Sequence, residues 1–222
     1  DVVVLDRVRR FGATSTIATL ADAVRRGEAA EVLEVLAGAH PDVGWVRPDE
    51  PTALGGLRRA VVEASVPIAT AALEGRADDG LAAANDTKVL AATRRGPHGV
   101  HAWSELIEAG VARREPRLAP ARRFAPGQPI LVTRNDRLHG LVNGDTGLVV
   151  PGDRGEPEVA FADGRRFLPA QLSATEPWWA MTIHKSQGSE YRHVVVSLPD
   201  AGSPMLTREL LYTAITRAVE QV

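Results

Sequence analysis

The sequence predicts an α/β fold: a parallel sheet flanked by helices, with a small antiparallel β unit inserted toward the C-terminal end. Three observations carry that expectation. Residues 194–198 hold three adjacent valines after a polar knot, as in a strand buried on both faces of a parallel sheet. Apolar runs of strand length at 2–5 and 88–93 each lead into a basic loop and then a helical period. Between 129 and 168, short β runs alternate with the turn dipeptides Asn143-Gly144, Gly152-Asp153 and Asp163-Gly164.

Composition sets the bounds. The 222 residues are 44% hydrophobic and 24% charged, ordinary for a globular domain with one sizeable core, or one core and a small satellite. With no cysteine, disulfides and thiolate metal sites are excluded. No apolar run approaches the ~18 residues of a membrane span, and Asp1 opens no signal-peptide pattern. The chain starts without Met, directly in a strand-like run, and reads as a piece of something longer. A net charge of −2 does not by itself indicate nucleic acid. Only two of the 26 basic residues are lysines, Lys88 and Lys185.

Taken in order, residues 2–5 form a buried strand. Arg7, Arg9 and Arg10 follow at its exit, beside a helix that Thr14 or Ser15 caps and that Ile17, Leu20, Ala21 and Val24 make amphipathic. That juxtaposition suits an anion. Residues 29–37 form a second helix, and Trp45 plugs a proline-rich loop over 38–51. Helical runs at 57–64 and 68–73 follow, with Pro67 opening the second. Strand 88–93 leads through an Arg-Arg-Gly loop to a helix with Trp103, Leu106 and Ile107, repeating the anion-friendly layout. His98 and His101 are three apart without a third ligand nearby, so no metal site is expected.

Residues 115–129, rich in Pro and Arg, mark a boundary. The short strands after it suggest a small barrel, with Asn135, Asp136, Asn143 and Asp145 read as turn residues on their chemistry alone. From Trp178 the pattern becomes strand, polar loop, strand. The loop 184–190 offers hydroxyls, an imidazole, an ammonium and a carboxylate at a strand end, where open α/β sheets bind ligands. The last segment reads as a helix capped by Thr207 and framed by Glu209 and Glu220. Its stripe is Leu210, Leu211, Ala214, Ile215 and Ala218, with Arg217 close by and in need of a partner.

These residues resemble a known family. AMTIHKSQGSEY (180–191) resembles motif V of superfamily 1 DNA helicases and LLYTAITRA (210–218) resembles motif VI, in matching order and separation. LVTRNDRLHGLVNGDTGLVV (131–150) is similar to the segment that helicases of 5′-to-3′ polarity carry around an SH3-like barrel. Residues 7–28 resemble the motif IV region, and ATRRGPHGVHAWSELIE (92–108) resembles RecD, the alpha subunit of exodeoxyribonuclease V. The likeness is weakest over 38–85. It implies a second RecA-like domain over 1–124 and 173–222, interrupted by an SH3-like barrel over 125–172.

The resemblance further implies ATP and Mg²⁺ as cofactors, in a cytoplasmic protein that acts on single-stranded DNA and duplex ends beside RecB-like and RecC-like subunits. No GxxxxGK[ST] phosphate loop occurs in the chain. In this family that loop and the Mg²⁺ ligands lie upstream, so this portion alone is expected to be inactive. By matching motif, Arg217 resembles the arginine finger, and Arg10, with Arg9 as its rival, resembles the motif IV arginine that meets the same phosphate. Gln187 and Gly188 fall where motif V approaches the nucleotide, and Glu190 resembles the carboxylate on the ribose. Thr182, His184, Lys185 and Ser186 would face the single strand, with Thr93, Arg94, Asn135 and Asn143 as further contacts. A free-standing RecD-like helicase, the helicase part of a conjugative relaxase and a non-catalytic interaction module remain as alternatives.

Overall fold

A computed structural model describes residues 15–119, 123–153 and 155–222. The expected strand at 2–5 and Arg7, Arg9 and Arg10 lie outside the described residues. The described chain opens with α1 (Thr16–Arg26) and α2 (Ala29–Ala37), then α3 (Pro51–Leu73) and α4 (Ala77–Asp86). Strand β1 (Thr87–Ala91) and α5 (Val100–Arg114) complete the first half. Five short strands follow: β2 (Pro129–Val132), β3 (Thr146–Pro151), β4 (Pro157–Phe161), β5 (Arg166–Phe167) and β6 (Thr175–Pro177). The chain ends with β7 (Ala180–Thr182), β8 (Tyr191–Ser197), α6 (Arg208–Ile215) and β9 (Ala218–Gln221).

The fold is mixed α/β, as the sequence predicts. Strands β7, β1, β8 and β9 form a four-stranded sheet in that order, parallel throughout. Helices α3, α4 and α5 pack on one another and on β1, while α1 packs with α2 and α6. The other five strands form an antiparallel sheet of order β5-β4-β3-β2-β6. Period-two alternation divides its side chains between two cores. Leu131, Leu148, Val150 and Ala160 join the large core with the helices. Ile130, Val132, Val149, Val159, Phe161 and Leu172 build a second, smaller one. Among the described residues no helix is long and apolar enough to cross a membrane.

Several local expectations need correction. Ser15 sits at the start of α1, but its side chain caps nothing. The cap comes from Asp42, whose Oδ2 accepts from the amides of Thr16 at 2.7 Å and Ile17 at 3.2 Å. Asp42 is held there because its loop pairs with the chain end: Val222 N donates to Asp42 O, and Gly44 N donates to Val222 O. Trp45 plugs nothing. It is 48% exposed, with Arg47 over its ring. Pro67 opens no new helix, because α3 runs through it unbroken. A proline removes one intrahelical bond, and burial of Val61, Val62, Ile68, Ala69 and Ala72 on both sides of it outweighs that loss. The C-terminal helix stops at Ile215, and Ala218 and Glu220 lie on β9 instead. Strand β8 is less enclosed than its valines suggest, since Val195 and Val196 are only half-buried.

Candidate functional site

The connection from β7 to β8 organises the site. These strands are not neighbours, because β1 lies between them. Residues 183–190 therefore cross the sheet instead of turning tightly between adjacent strands. They begin as a short 3₁₀ helix, Ile183–Ser186, capped by Thr182, whose Oγ1 accepts from Lys185 N at 3.3 Å. Ile183 and Ser186 are fully buried, and Ser186 Oγ donates to Ile183 O at 2.7 Å. Ser186 thus faces inward. His184, Gln187, Gly188 and Glu190 face outward. Gly188 turns the chain at φ 88°, a region that other residues enter only with strain.

Arg217 stands in the two-residue link between α6 and β9. Its carbonyl accepts from Tyr191 N at 2.9 Å, which seats it at the start of the β8–β9 pairing. Its guanidinium folds back over the end of α6. Nε donates to Thr213 O at 3.1 Å, one terminal nitrogen to Ser189 O at 3.1 Å and the other to Thr216 Oγ1 at 3.3 Å. A cation at carbonyls of a last helical turn is favoured by the helix dipole. The same contacts bind motif VI to motif V, directly beside the exposed run of Gln187, Gly188 and Glu190.

The expected DNA contacts divide between two cavities. His184, Lys185, Gln187 and Asn143 line one of about 490 Å³, against Tyr191 and Trp178. Asn135 lies behind it, accepting from Asn143 N at 2.7 Å and so fixing that wall. Thr182, Lys185 and Arg94 line a second of about 240 Å³, with His101 and Ser104 on α5. Here Glu176 pairs with both cations, Lys185 and Arg94. Thr93 turns its hydroxyl onto Arg95 O at 3.0 Å. The anion-friendly start expected for α5 is not free: Val100 N donates to Thr93 O and His101 N to Arg94 O. The start of α1 is likewise occupied, by the Asp42 carboxylate. Arg10 lies outside the described residues, so its relation to Arg217 is not part of this geometry. Among the described residues no cluster of three or more His, Asp or Glu is arranged to hold a metal ion.

Two residues escaped the sequence reading. Lys88 is 1% exposed in the middle strand; its Nζ donates to Trp178 O at 3.0 Å and lies 3.5 Å from the Trp178 ring centroid. Burial pushes its pKa well below the ordinary lysine range. The signal was available, since a lysine interrupts an otherwise apolar strand. Glu176, the carboxylate between two cations, gave none: only folding brings the 93–96 loop and the 183–186 turn to it. Behind Trp178, Tyr191 is buried with its hydroxyl on Met181 Sδ at 3.1 Å, and burial pushes that phenol up.

Comparison with known proteins gives the family context. The UvrD-like helicase C-terminal domain matches residues 177–222. The RecBCD enzyme subunit RecD of Mycolicibacterium smegmatis is 40% identical over 223 residues, covering 100% of this chain and 39% of that protein. The ATP-dependent RecD2 DNA helicase of Deinococcus radiodurans is 34% identical over 134 residues, covering 59% of this chain and 19% of that protein. A Pif1 helicase from Bacteroides, solved with ADP-AlF3 and ssDNA, is 15% identical at a TM-score of 0.46, covering 96% of this chain and 48% of that one. That structural likeness is too loose for any of its contacts to be carried over. The resemblance to RecD helicases read from the motifs is borne out along the whole chain, which spans about two fifths of the first relative's length.

Proposed function

We propose, from a likeness to RecD that runs the length of the chain, that it forms the motif IV–VI portion of an ATP-dependent DNA helicase moving 5′ to 3′. The parallel sheet is then the second RecA-like domain, over 1–124 and 173–222, and β2–β5 belong to an SH3-like barrel inserted at 125–172, on whose β2 strand β6 of the flanking segment pairs. The observation that carries the reading is the seat of Arg217. Its guanidinium is fixed on the Ser189 carbonyl and the end of α6, beside the exposed Gln187, Gly188 and Glu190.

In this reading ATP and Mg²⁺ bind between this domain and an upstream one that carries the phosphate loop. Arg217, with Arg10, stabilises charge on the transferring γ-phosphoryl group, and Gln187, Gly188 and Glu190 face the nucleotide. An arginine finger contributes ~10³-fold or more to the rate. Thr182, His184, Lys185, Arg94, Thr93, Asn135 and Asn143 hold a single strand by its backbone, which positions it without reading sequence. Ser186, turned inward, holds the 3₁₀ turn in shape instead of touching the strand. The partners are RecB-like and RecC-like subunits, in repair of double-strand breaks. The likeness to RecD2 favours a second reading, a motor that works without them.

The test is ATP hydrolysis by the whole protein, with and without single-stranded DNA, for wild type and Arg217→Ala. DNA-stimulated hydrolysis that falls ~10³-fold in a variant of unchanged melting temperature is the expected result. Equal activity in both removes the finger role. Co-purification with RecB-like and RecC-like subunits separates the complex from the free-standing motor.

A further inference from the structure

We propose that Glu176 is a built-in stand-in for phosphate: its carboxylate occupies the place between Arg94 and Lys185 that a backbone phosphate takes when single-stranded DNA binds. The inference rests on the reading that this face grips a strand, and adds a competitor to it. Arg94 comes from a segment 82 residues before Glu176, and Lys185 from the turn nine residues after it. One carboxylate oxygen of Glu176 pairs with Lys185 Nζ and the other with the Arg94 guanidinium at 3.2 Å. Both cations are thus held on one anion of charge −1, the charge of a phosphodiester. The side chains remain within reach of solvent, at 65% exposure for Arg94 and 30% for Lys185.

The adjoining cavity, which the carboxylates of Glu105 and Glu108 also line, offers hydroxyls that a phosphate can use and Glu176 does not. Thr182 Oγ1 already accepts from Lys185 N, leaving its proton to donate. Ser104 lines the same cavity, and its hydroxyl oxygen is buried without a hydrogen-bond partner. A tetrahedral anion with more acceptor oxygens than Glu176 would engage the Thr182 hydroxyl as well as both cations, and the Ser104 hydroxyl once that side chain rotates toward the cavity. The Arg94 pair is exposed and therefore weak, so that cation exchanges one anion for the other easily, while the part-buried Lys185 pair holds Glu176 more firmly. Glu176 keeps Arg94 and Lys185 aimed while the site is empty. It also limits affinity, which suits a strand that must be released repeatedly.

The measurement is fluorescence anisotropy of a labelled oligothymidylate with the whole protein, over a range of salt, for variants of unchanged melting temperature. Glu176→Gln is expected to bind about fivefold tighter at low salt, with a salt slope steeper by about one, because two cations then await the phosphate. Glu176→Asp, whose shorter carboxylate reaches one cation at a time, is expected to fall between, and serves if the glutamine variant misfolds. In a Lys185→Met background the gain should shrink. If Lys185→Met weakens binding while neither Glu176 variant tightens it, Glu176 is only structural and the proposal fails. If Lys185→Met and Arg94→Ala both bind like wild type, the strand does not cross this face, and the reading beneath the proposal fails with it.

Discussion

Lys88 shows how much one residue can shape the pH response of a fold. Its amine is buried and bonded to a carbonyl, so the folded chain favours the neutral form, whereas the unfolded chain protonates it up to the ordinary lysine value of 10.5. The unfolded state then binds more protons between the lowered folded value and 10.5, and stability rises with pH across that window. Wild type should gain up to about 1.4 kcal/mol per pH unit relative to Lys88→Met as pH rises toward the ordinary lysine value. Denaturant unfolding at several pH values measures this; identical slopes would mean that the amine stays charged. At this scale the sequence was partly legible. Thr207 caps α6 as its position indicates, with Oγ1 accepting from Leu210 N at 3.2 Å. Arg217 was singled out by its place near an apolar stripe, although its partners are the Thr213 carbonyl in the last turn of α6, the Ser189 carbonyl and the Thr216 hydroxyl. Glu176 and Asp42 were not legible, because the groups they serve lie more than twenty residues away or on separate segments.

The helix starts and ends make the same point at the scale of elements. Helix α1 takes its cap from a loop that is itself pinned by the last residue, so the two ends of the described chain support each other. Burial pushes the Asp42 carboxyl up, but the Thr16 side chain and the amides of Ile17 and Thr16 outweigh it and hold it below the usual carboxylate range. Its stabilisation is therefore full above the ordinary value of 3.8 and is lost as pH falls below it. Asp42→Ala should cost about 1–2 kcal/mol at neutral pH, read from denaturant unfolding, whereas Ser15→Ala should cost little. The reverse ranking would return the cap to Ser15. Where the reading of elements failed, a tertiary contact overrode a local pattern. Ala218 continues the helical spacing of Ala214 and Ile215, yet pairing with the open edge of β8 draws 218–221 into a strand. Pro67 carries a break signal, yet residues of α3 on both sides of it are buried in the same core.

For the whole molecule, the decisive feature is the core that the two sheets share. Leu148 of β3 is completely buried, and Gly80 of α4 lies so close that a methyl group on Gly80 would collide with the Leu148 side chain. Leu148→Ala should cost about 2–5 kcal/mol. Hydrogen exchange should show protection falling together in β1 and β3. Loss confined to β2–β5 would mean that residues 125–172 fold as a separate unit. The α/β class and the run of short strands were legible because period and turn chemistry are local. The shared core was not, because which face of each β strand meets α3 and α4 depends on packing alone.

The crossing from β7 to β8 has a mechanical consequence. Thr182 is level with Ala91, and so with Ser197 at the far end of β8. The chain must therefore travel back about 20 Å along the strands and about 10 Å sideways, or roughly 22 Å in all, before β8 begins. Nine residue-to-residue steps separate Thr182 from Tyr191. With four of those residues wound as 3₁₀ helix they reach at most about 25 Å, and the turn closed by Ser189 N on Ser186 O takes up the rest. The link is a cord drawn almost tight, with less than one residue of slack. Its two ends cannot move independently, so displacement of the turn at Thr182 must pull on the seat of Arg217 unless the 3₁₀ turn unwinds.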